Sequence, residues 1–569
     1  MSAARFVLDA LRQEGIEHVF MVPGGLLDPF LTELGEVSGV EAVVAAHEAG
    51  AAFMADGYAR ASGLFGVCLG IGGPGVANMV GPLAAAYADE SPVLAITGQV
   101  ATNWEGRGAF QDASPGGLND LALLTPITAY AEEVPTAQAV AHSLHVALRT
   151  MLGLERRPVC LSLPKQVQGE EVHETYRPLT GDVASAPRLL DAEACAAVAE
   201  RLAGAGTIAV LAGNGAEQSE ATDDLVAFAE AFDIPVASTL RAKGVFPEDH
   251  PLSLGVFGYS GTRHATEALM SGRVDVLLVL GSSLNQRDTM VWSDHLRPRD
   301  AIVQVDLDPS AFGRNYDVDV TVVSDVREVV RALLADDDLG AALEGSRADR
   351  TAWIAEIRAL DRHYDADTRT SDAEPMHPAR VVTELRRAAP RDTVMLIDSG
   401  AHRAFTGHHW DSYGPREYLS STTLAPMGWA IAAAVGAKVA RPDQPCAVVT
   451  GDGCMLMHGM EIQTAAAHGL AIVFVVVNNG ALGNVYLRAR KLSPSAGALA
   501  RLPVHDWVGF ARSLGADGVL VEHPGDLAGA FEAAFAAAGP FLLDIRCDPE
   551  AGTPITPWSE SSQEWILAH

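Results

Sequence analysis

Residues 445–480 read PCAVVTGDGCMLMHGMEIQTAAAHGLAIVFVVVNNG, and their periodicity decides the fold. CAVVT is a short β-branched run of buried-strand type, Gly451-Asp452-Gly453 is a tight turn, Met457 to His468 has helical spacing, and LAIVFVVV is a second buried strand closed by Asn478-Asn479. A strand, a crossover helix and a parallel strand put Asp452 and Asn479 at the same sheet edge, although 27 positions separate them. A carboxylate and an amide oxygen beside a glycine turn form an all-oxygen site of the kind magnesium prefers, with phosphate oxygens completing the shell. A helix start at the same turn favours phosphate. A lone Gly-Asp-Gly is more often an ordinary strand-to-helix turn; the paired asparagines make the difference.

Outward from this stretch, the same alternation fills the chain. HVFMV, GVCLGI, PVLAIT and PVCLSLP lie in a first block, TIAVLAGNG, IPVAST, VDVLLVLGS and AIVQVDLDP in a second, and DTVMLIDSG and PFLLDIRCD join the opening pair in a third. Apolar strands alternating with alanine-rich helices predict an α/β protein of three doubly wound parallel-sheet domains. Their expected bounds are 1–170, 188–340 and 375–550, with a tail at 551–569. Val167 to Pro187 and the acidic, proline-containing Asp365 to Ala379 read as linkers, and Ala341 to Tyr364 as a charged helix.

The 569 residues exceed what one core organises. Forty basic against 72 acidic residues give a formal charge of −32, which disfavours nucleic acid and anionic membranes as partners. Six cysteines without C-x-x-C spacing suggest neither zinc nor disulfides. With no signal-peptide pattern in the amphipathic N-terminus and no long apolar span, a cytoplasmic location is expected.

A second informative stretch is AAHEAGAAFMADGYARASG, residues 45–63, where Glu48 stands among small apolar residues rather than on a charged face. Most glutamates are solvated. This setting instead suits a carboxyl group that exchanges a proton with a bound ligand.

Taken together, GDG, 24 residues, NN and the N-terminal glutamate stretch resemble the thiamine diphosphate-dependent enzymes over essentially the full chain, closest in pattern to the acetolactate synthase branch. The resemblance implies pyrimidine-binding, middle and diphosphate-binding domains in that order. It implies Mg2+ on Asp452, Asn479 and the Ala481 carbonyl, with Gly453 and Cys454 at the diphosphate. It assigns Glu48 to the proton shuttle on the cofactor's aminopyrimidine, and Gly24, Gly25, Pro74, Asn78 and Gln111 to the pyrimidine or substrate, Gln111 with a catalytic role. Gly400 and His402 match a further diphosphate turn, Met427 the bulky residue that bends the cofactor, and Ala425 a carbonyl that accepts from its amino group. Sites shared between subunits imply a homodimer or homotetramer.

The implied reaction is decarboxylation of a 2-oxo acid with transfer of the acyl carbanion to a carbonyl acceptor. Release of an aldehyde without ligation is the alternative, and a catalytically silent regulatory relative is a third reading. Three departures bear on this. The family's flavin-contacting arginine and histidine are replaced by Ser283 and Phe257, so FAD is not favoured, although Asp306 and Asp308 match acidic positions. Asn484 and Arg488 stand where acetolactate synthases carry apolar residues of the acceptor pocket, and Arg488 would suit an anionic substrate group if it faces inward. His408 and His409 are expected on an exposed loop beside Trp410, and Trp558 and Trp565 in a tail that covers the site.

Overall fold

The computed structural model describes residues 1–36, 39–179 and 188–554. Trp558 and Trp565 lie outside them. Three six-stranded, all-parallel sheets form, one per block. The first holds β1 (His18–Met21), β2 (Glu41–Val44), β3 (Gly66–Ile71), β4 (Val93–Gln99), β5 (Tyr130–Glu133) and β6 (Val159–Pro164) in the order β2-β1-β3-β4-β6-β5. The second holds β7 (Ile208–Ala212), β8 (Val236–Ser238), β9 (Ser253–Val256), β10 (Val276–Leu280), β11 (Ala301–Asp306) and β12 (Val320–Val323), ordered β12-β11-β10-β7-β8-β9. The third holds β13 (Val394–Ile397), β14 (Tyr418–Ser420), β15 (Cys446–Gly451), β16 (Ile472–Asn478), β17 (Asp517–Val521) and β18 (Phe541–Arg546), ordered β14-β13-β15-β16-β18-β17.

The first and third sheets thus share one topology. The middle sheet has the strand order of dinucleotide-binding folds. Central strands such as β4 and β16 are buried along their whole length, which is why they read as unbroken apolar runs.

The outer domains join through two helices, Glu48–Ser62 and Trp429–Ala440. Their backbones nearly touch: a Cβ on Gly436 would fall 1.8 Å from the Met54 carbonyl oxygen, and one on Gly57 2.1 Å from that of Ala433. Glycine is the residue that admits this approach.

Several expectations change in detail. The first linker is packed as far as Leu179. Tyr176 is buried with its hydroxyl on Glu14, and the Leu179 N–H donates to the same carboxylate. The charged helix is two, Asp337–Glu344 and Arg347–Arg358. The helix expected from Met457 begins at Asp452 and is broken into Asp452–His458, a 3-10 turn Gly459–Glu461 and Ile462–Ala467. His408 and His409 are not on an exposed loop: they end the helix Ala401–His409 and are buried against His363 and Tyr364, and Trp410 is buried beneath Arg386. No described helix is long and apolar enough to cross a membrane.

Candidate functional site

Nearly every residue singled out from the sequence sits just past the carboxyl end of a strand, where parallel sheets bind ligands. On the first sheet Gly25 follows β1, Glu48 follows β2, Pro74 and Asn78 open the helix after β3, and Gln111 lies in the loop after β4. On the third, Gly400 and His402 follow β13, Ala425 and Met427 follow β14, Asp452, Gly453 and Cys454 follow β15, and Asn479 and Ala481 follow β16.

β15 and β16 pair through Gly451 and Val477, so Asp452 and Asn479 emerge side by side. One cleft is lined by Gly400, His402, Met427, Asp452, Gly453, Cys454, Asn479, Ala481 and Asn484. Asp452 Oδ1 accepts the Gly453 N–H at 3.0 Å, whereas Oδ2 is buried and has no partner among the described residues. Burial pushes the Asp452 carboxyl up to about 6, against the pull of the Gly453, Gly480 and Ala481 N–H groups. A buried carboxylate oxygen without a donor is costly, and a cation would relieve it. The Asn479 amide oxygen accepts the Ala481 N–H at 3.1 Å. The donor set is thus a carboxylate and an amide oxygen on two residues that line one cleft, which fits a hard cation such as Mg2+.

His402 is buried with Nε2 unpartnered, and burial, with Arg403 beside it, lowers its pKa to about 3. It therefore faces the cleft as a neutral imidazole. Ala425 holds a left-handed φ of 55°, uncommon for a residue other than glycine, and its carbonyl accepts the Ser399 hydroxyl at 2.6 Å. A carbonyl oxygen can accept a second hydrogen bond.

The other group is separate. Asn78 Nδ2 donates to Glu48 Oε2 at 2.9 Å, and Gly75 stands beside Oε1, where a Cβ would make an ordinary contact at 3.6 Å. Gln111 is half-buried with a φ of 59°. No described residue of the first domain lines the third-domain cleft. Arg488 is exposed on the helix Gly483–Leu492 and outside that lining, whereas Asn484 lies within it.

Two acidic residues went unread in the sequence. Asp89 of the first domain is buried and accepts from the Ser421 hydroxyl at 2.8 Å, the Thr422 and Thr423 N–H groups at 3.2 and 2.9 Å, and Arg60 at 3.0 Å. It thereby anchors the loop that carries Ala425 and Met427. Glu461 of the third domain accepts the N–H groups of Ala46 and His47, just before Glu48. Neither stands in a motif, and their partners in the other domain are more than 300 positions away.

Two other groupings are notable. A cleft of about 1140 Å³ opens at the carboxyl ends of β7, β10 and β11, lined by Ser283, Asp306, Asp308 and several arginines, among them Arg156, Arg241 and Arg287; Phe257 is fully buried outside it. His363, His408 and His409 cluster at metal-ligand spacing. In His408, however, Nε2 accepts the Tyr364 N–H and Nδ1 meets the Gly261 carbonyl, so neither nitrogen is free for an ion.

Comparison with known proteins finds one family in three stretches of the chain. Residues 1–118 match the N-terminal TPP binding domain of thiamine pyrophosphate enzymes, residues 195–333 their central domain, and residues 398–545 their C-terminal TPP binding domain. The chain is 33% identical over 575 residues to a probable acetolactate synthase large subunit of Methanocaldococcus jannaschii, covering 98% of this chain and 94% of that protein. It is 34% identical over 496 residues to the acetolactate synthase large subunit of Corynebacterium glutamicum, covering 85% and 76%. A putative acetolactate synthase large subunit from Mycobacterium tuberculosis is 30% identical over 570 residues, covering 97% and 99%.

Proposed function

The chain belongs to the thiamine diphosphate-dependent enzymes of the acetolactate synthase large-subunit family, and from that premise we propose that it decarboxylates a pyruvate-type 2-oxo acid and joins the acyl fragment to a carbonyl acceptor. The observation that carries the proposal is the unpartnered Asp452 Oδ2 beside Asn479 in a glycine-walled cleft. Asp452, Asn479 and the Ala481 carbonyl would hold Mg2+, and the Gly400, Gly453 and Cys454 turns with neutral His402 would receive the diphosphate.

Bound thiamine diphosphate supplies a nucleophilic thiazolium carbon and a sink for the electron pair left when carbon dioxide departs. The protein's part is placement and proton handling. Asn78 occupies Glu48 Oε2, leaving Oε1 to hold and return a proton at the aminopyrimidine ring nitrogen. The Ala425 carbonyl suits the ring's amino group, and Met427 stands where an apolar side chain would hold the two rings bent. Gly25, Pro74 and Gln111 lie on the Glu48 side, and Asn484 is the substrate contact on the metal side. Arg488, exposed in one chain, joins that pocket only if a second copy or the closing of its helix brings it inward.

The separation of the two groups supports a homodimer in which one copy supplies Glu48 and the other Asp452. Exposed apolar side chains flank both: Phe110 and Leu118 on the first domain, Leu424, Leu456, Met457 and Met460 on the third. Six buried free thiols support a reducing, cytoplasmic setting. FAD is not part of the proposal; the visible spectrum of the purified protein tests whether the arginine-lined cleft holds one.

The test is mass spectrometry of products from a panel of 2-oxo acids, with and without added aldehydes, in the presence of thiamine diphosphate and Mg2+. A carbon–carbon-linked product is expected. Aldehyde alone would favour the non-ligating decarboxylase, and no carbon dioxide from any acid would favour a silent relative.

A further inference from the structure

We propose that Glu461, on the diphosphate-binding domain, is a positioning residue for Glu48, on the pyrimidine-binding domain of the same chain. The inference rests on the proton-handling role given to Glu48 above. The chain leaves β2 at Val44 and enters its helix at Glu48, with His47 as the cap: its Nδ1 accepts the Ala49 N–H at 3.1 Å. The two peptide N–H groups before the helix find their acceptor in the other domain. That of Ala46 donates to Glu461 Oε2 at 3.0 Å and that of His47 to Oε1 at 3.1 Å. Two oxygens of one rigid carboxylate therefore fix two successive peptide planes, and Glu48 is the next residue.

The carboxylate is itself held. It is 1% exposed, and the Thr464 hydroxyl donates to Oε2 at 2.8 Å. Among the described residues it forms no ion pair with lysine or arginine, so neutral donors carry its charge. The sequence of the opposing helix also bears the mark of this contact. A Cβ on Gly50 would fall 1.8 Å from Glu461 Oε1, so a glycine stands in the second position past Glu48, where alanine would otherwise be the better helix former. Glu461 follows Asp452 by one short helix and a 3-10 turn, so the segment that begins at the proposed metal ligand ends on the turn that aims the proposed proton carrier.

Misplacement of a reacting group by about 1 Å can cost about 100-fold in rate. Glu461→Gln keeps the size but sets an NH2 group against one of the two N–H donors. In the apo chain, amide hydrogen exchange of the peptide spanning residues 45–50 should speed up about tenfold or more, with other peptides and the melting temperature unchanged. With thiamine diphosphate and Mg2+ bound, kcat should fall by about 10- to 100-fold. KM for the 2-oxo acid and cofactor affinity should stay within about threefold. Exchange of the thiazolium C2 proton, read by NMR after acid quench, should slow by the same factor as kcat. Thr464→Val should give the same pattern more weakly, and it carries the test should Glu461→Gln fail to fold. Unchanged amide exchange at residues 45–50, or parental C2 exchange in either variant, overturns the proposal. Glu48→Gln is the control: if it too exchanges C2 at the parental rate, the functional reading itself fails; if it stops exchange while the Glu461 and Thr464 variants do not alter it, only the positioning role fails.

Discussion

At the residue scale, the two oxygens of Asp452 have different fates. One accepts the adjacent Gly453 N–H and the other, buried, finds no donor among the described residues, an arrangement that a hard cation would relieve. As candidates, Asp452 and Asn479 could be picked out of the sequence because their spacing has a geometric meaning, and Glu48 because it stands among small apolar residues in a stretch that resembles the family. Glu461 and Asp89 could not, because a buried carboxylate that receives backbone N–H groups from another domain leaves no local pattern; it is visible only once the chain has folded. Glu48→Gln keeps the hydrogen bond to Asn78 available but removes the proton carrier. Turnover should drop by about 100- to 10,000-fold, while thiamine diphosphate affinity, read by titration calorimetry, changes little. Undiminished turnover would remove the role assigned to it.

At the element scale, the strands named from the sequence are the four central ones of each sheet, and both edge strands of every sheet were missed. For four of the six the reason is burial. Central strands are covered on both faces and read as apolar runs, whereas β2, β5, β12 and β17 are partly exposed; β9 and β14 are buried, and neither burial nor length separates them from the three-residue β8. The loop after β14 is irregular, yet it carries the Ala425 carbonyl and Met427. Asp89 gives it rigidity: although burial opposes its charge, Arg60 and the Thr423 and Ser421 donors hold its carboxyl below the ordinary range. Asp89→Asn should loosen this loop and weaken thiamine diphosphate binding by about tenfold or more, the scale of one lost charge-assisted hydrogen bond. Fluorescence titration of the apo protein checks this, and an unchanged affinity would show that the anchor does not matter to the cofactor.

At the scale of the whole molecule, three domains and their order were legible from the alternation of strands and helices, but the relation between the domains was not. Two domains of one strand order meet through the glycine-faced helices Glu48–Ser62 and Trp429–Ala440, with the Glu48 group on one and the Asp452 cleft on the other. The central claim is that a complete site needs Glu48 from one copy and Asp452 from another. Co-expression of Glu48→Gln and Asp452→Ala chains tests it most directly, since each variant alone is expected to be inactive. Random pairing makes about half the dimers mixed, each with one of two sites intact, so activity should return to about a quarter of the parental value. If the co-expressed chains are no more active than the separate variants, although mass spectrometry shows mixed dimers, the site is not shared between copies and the account is wrong.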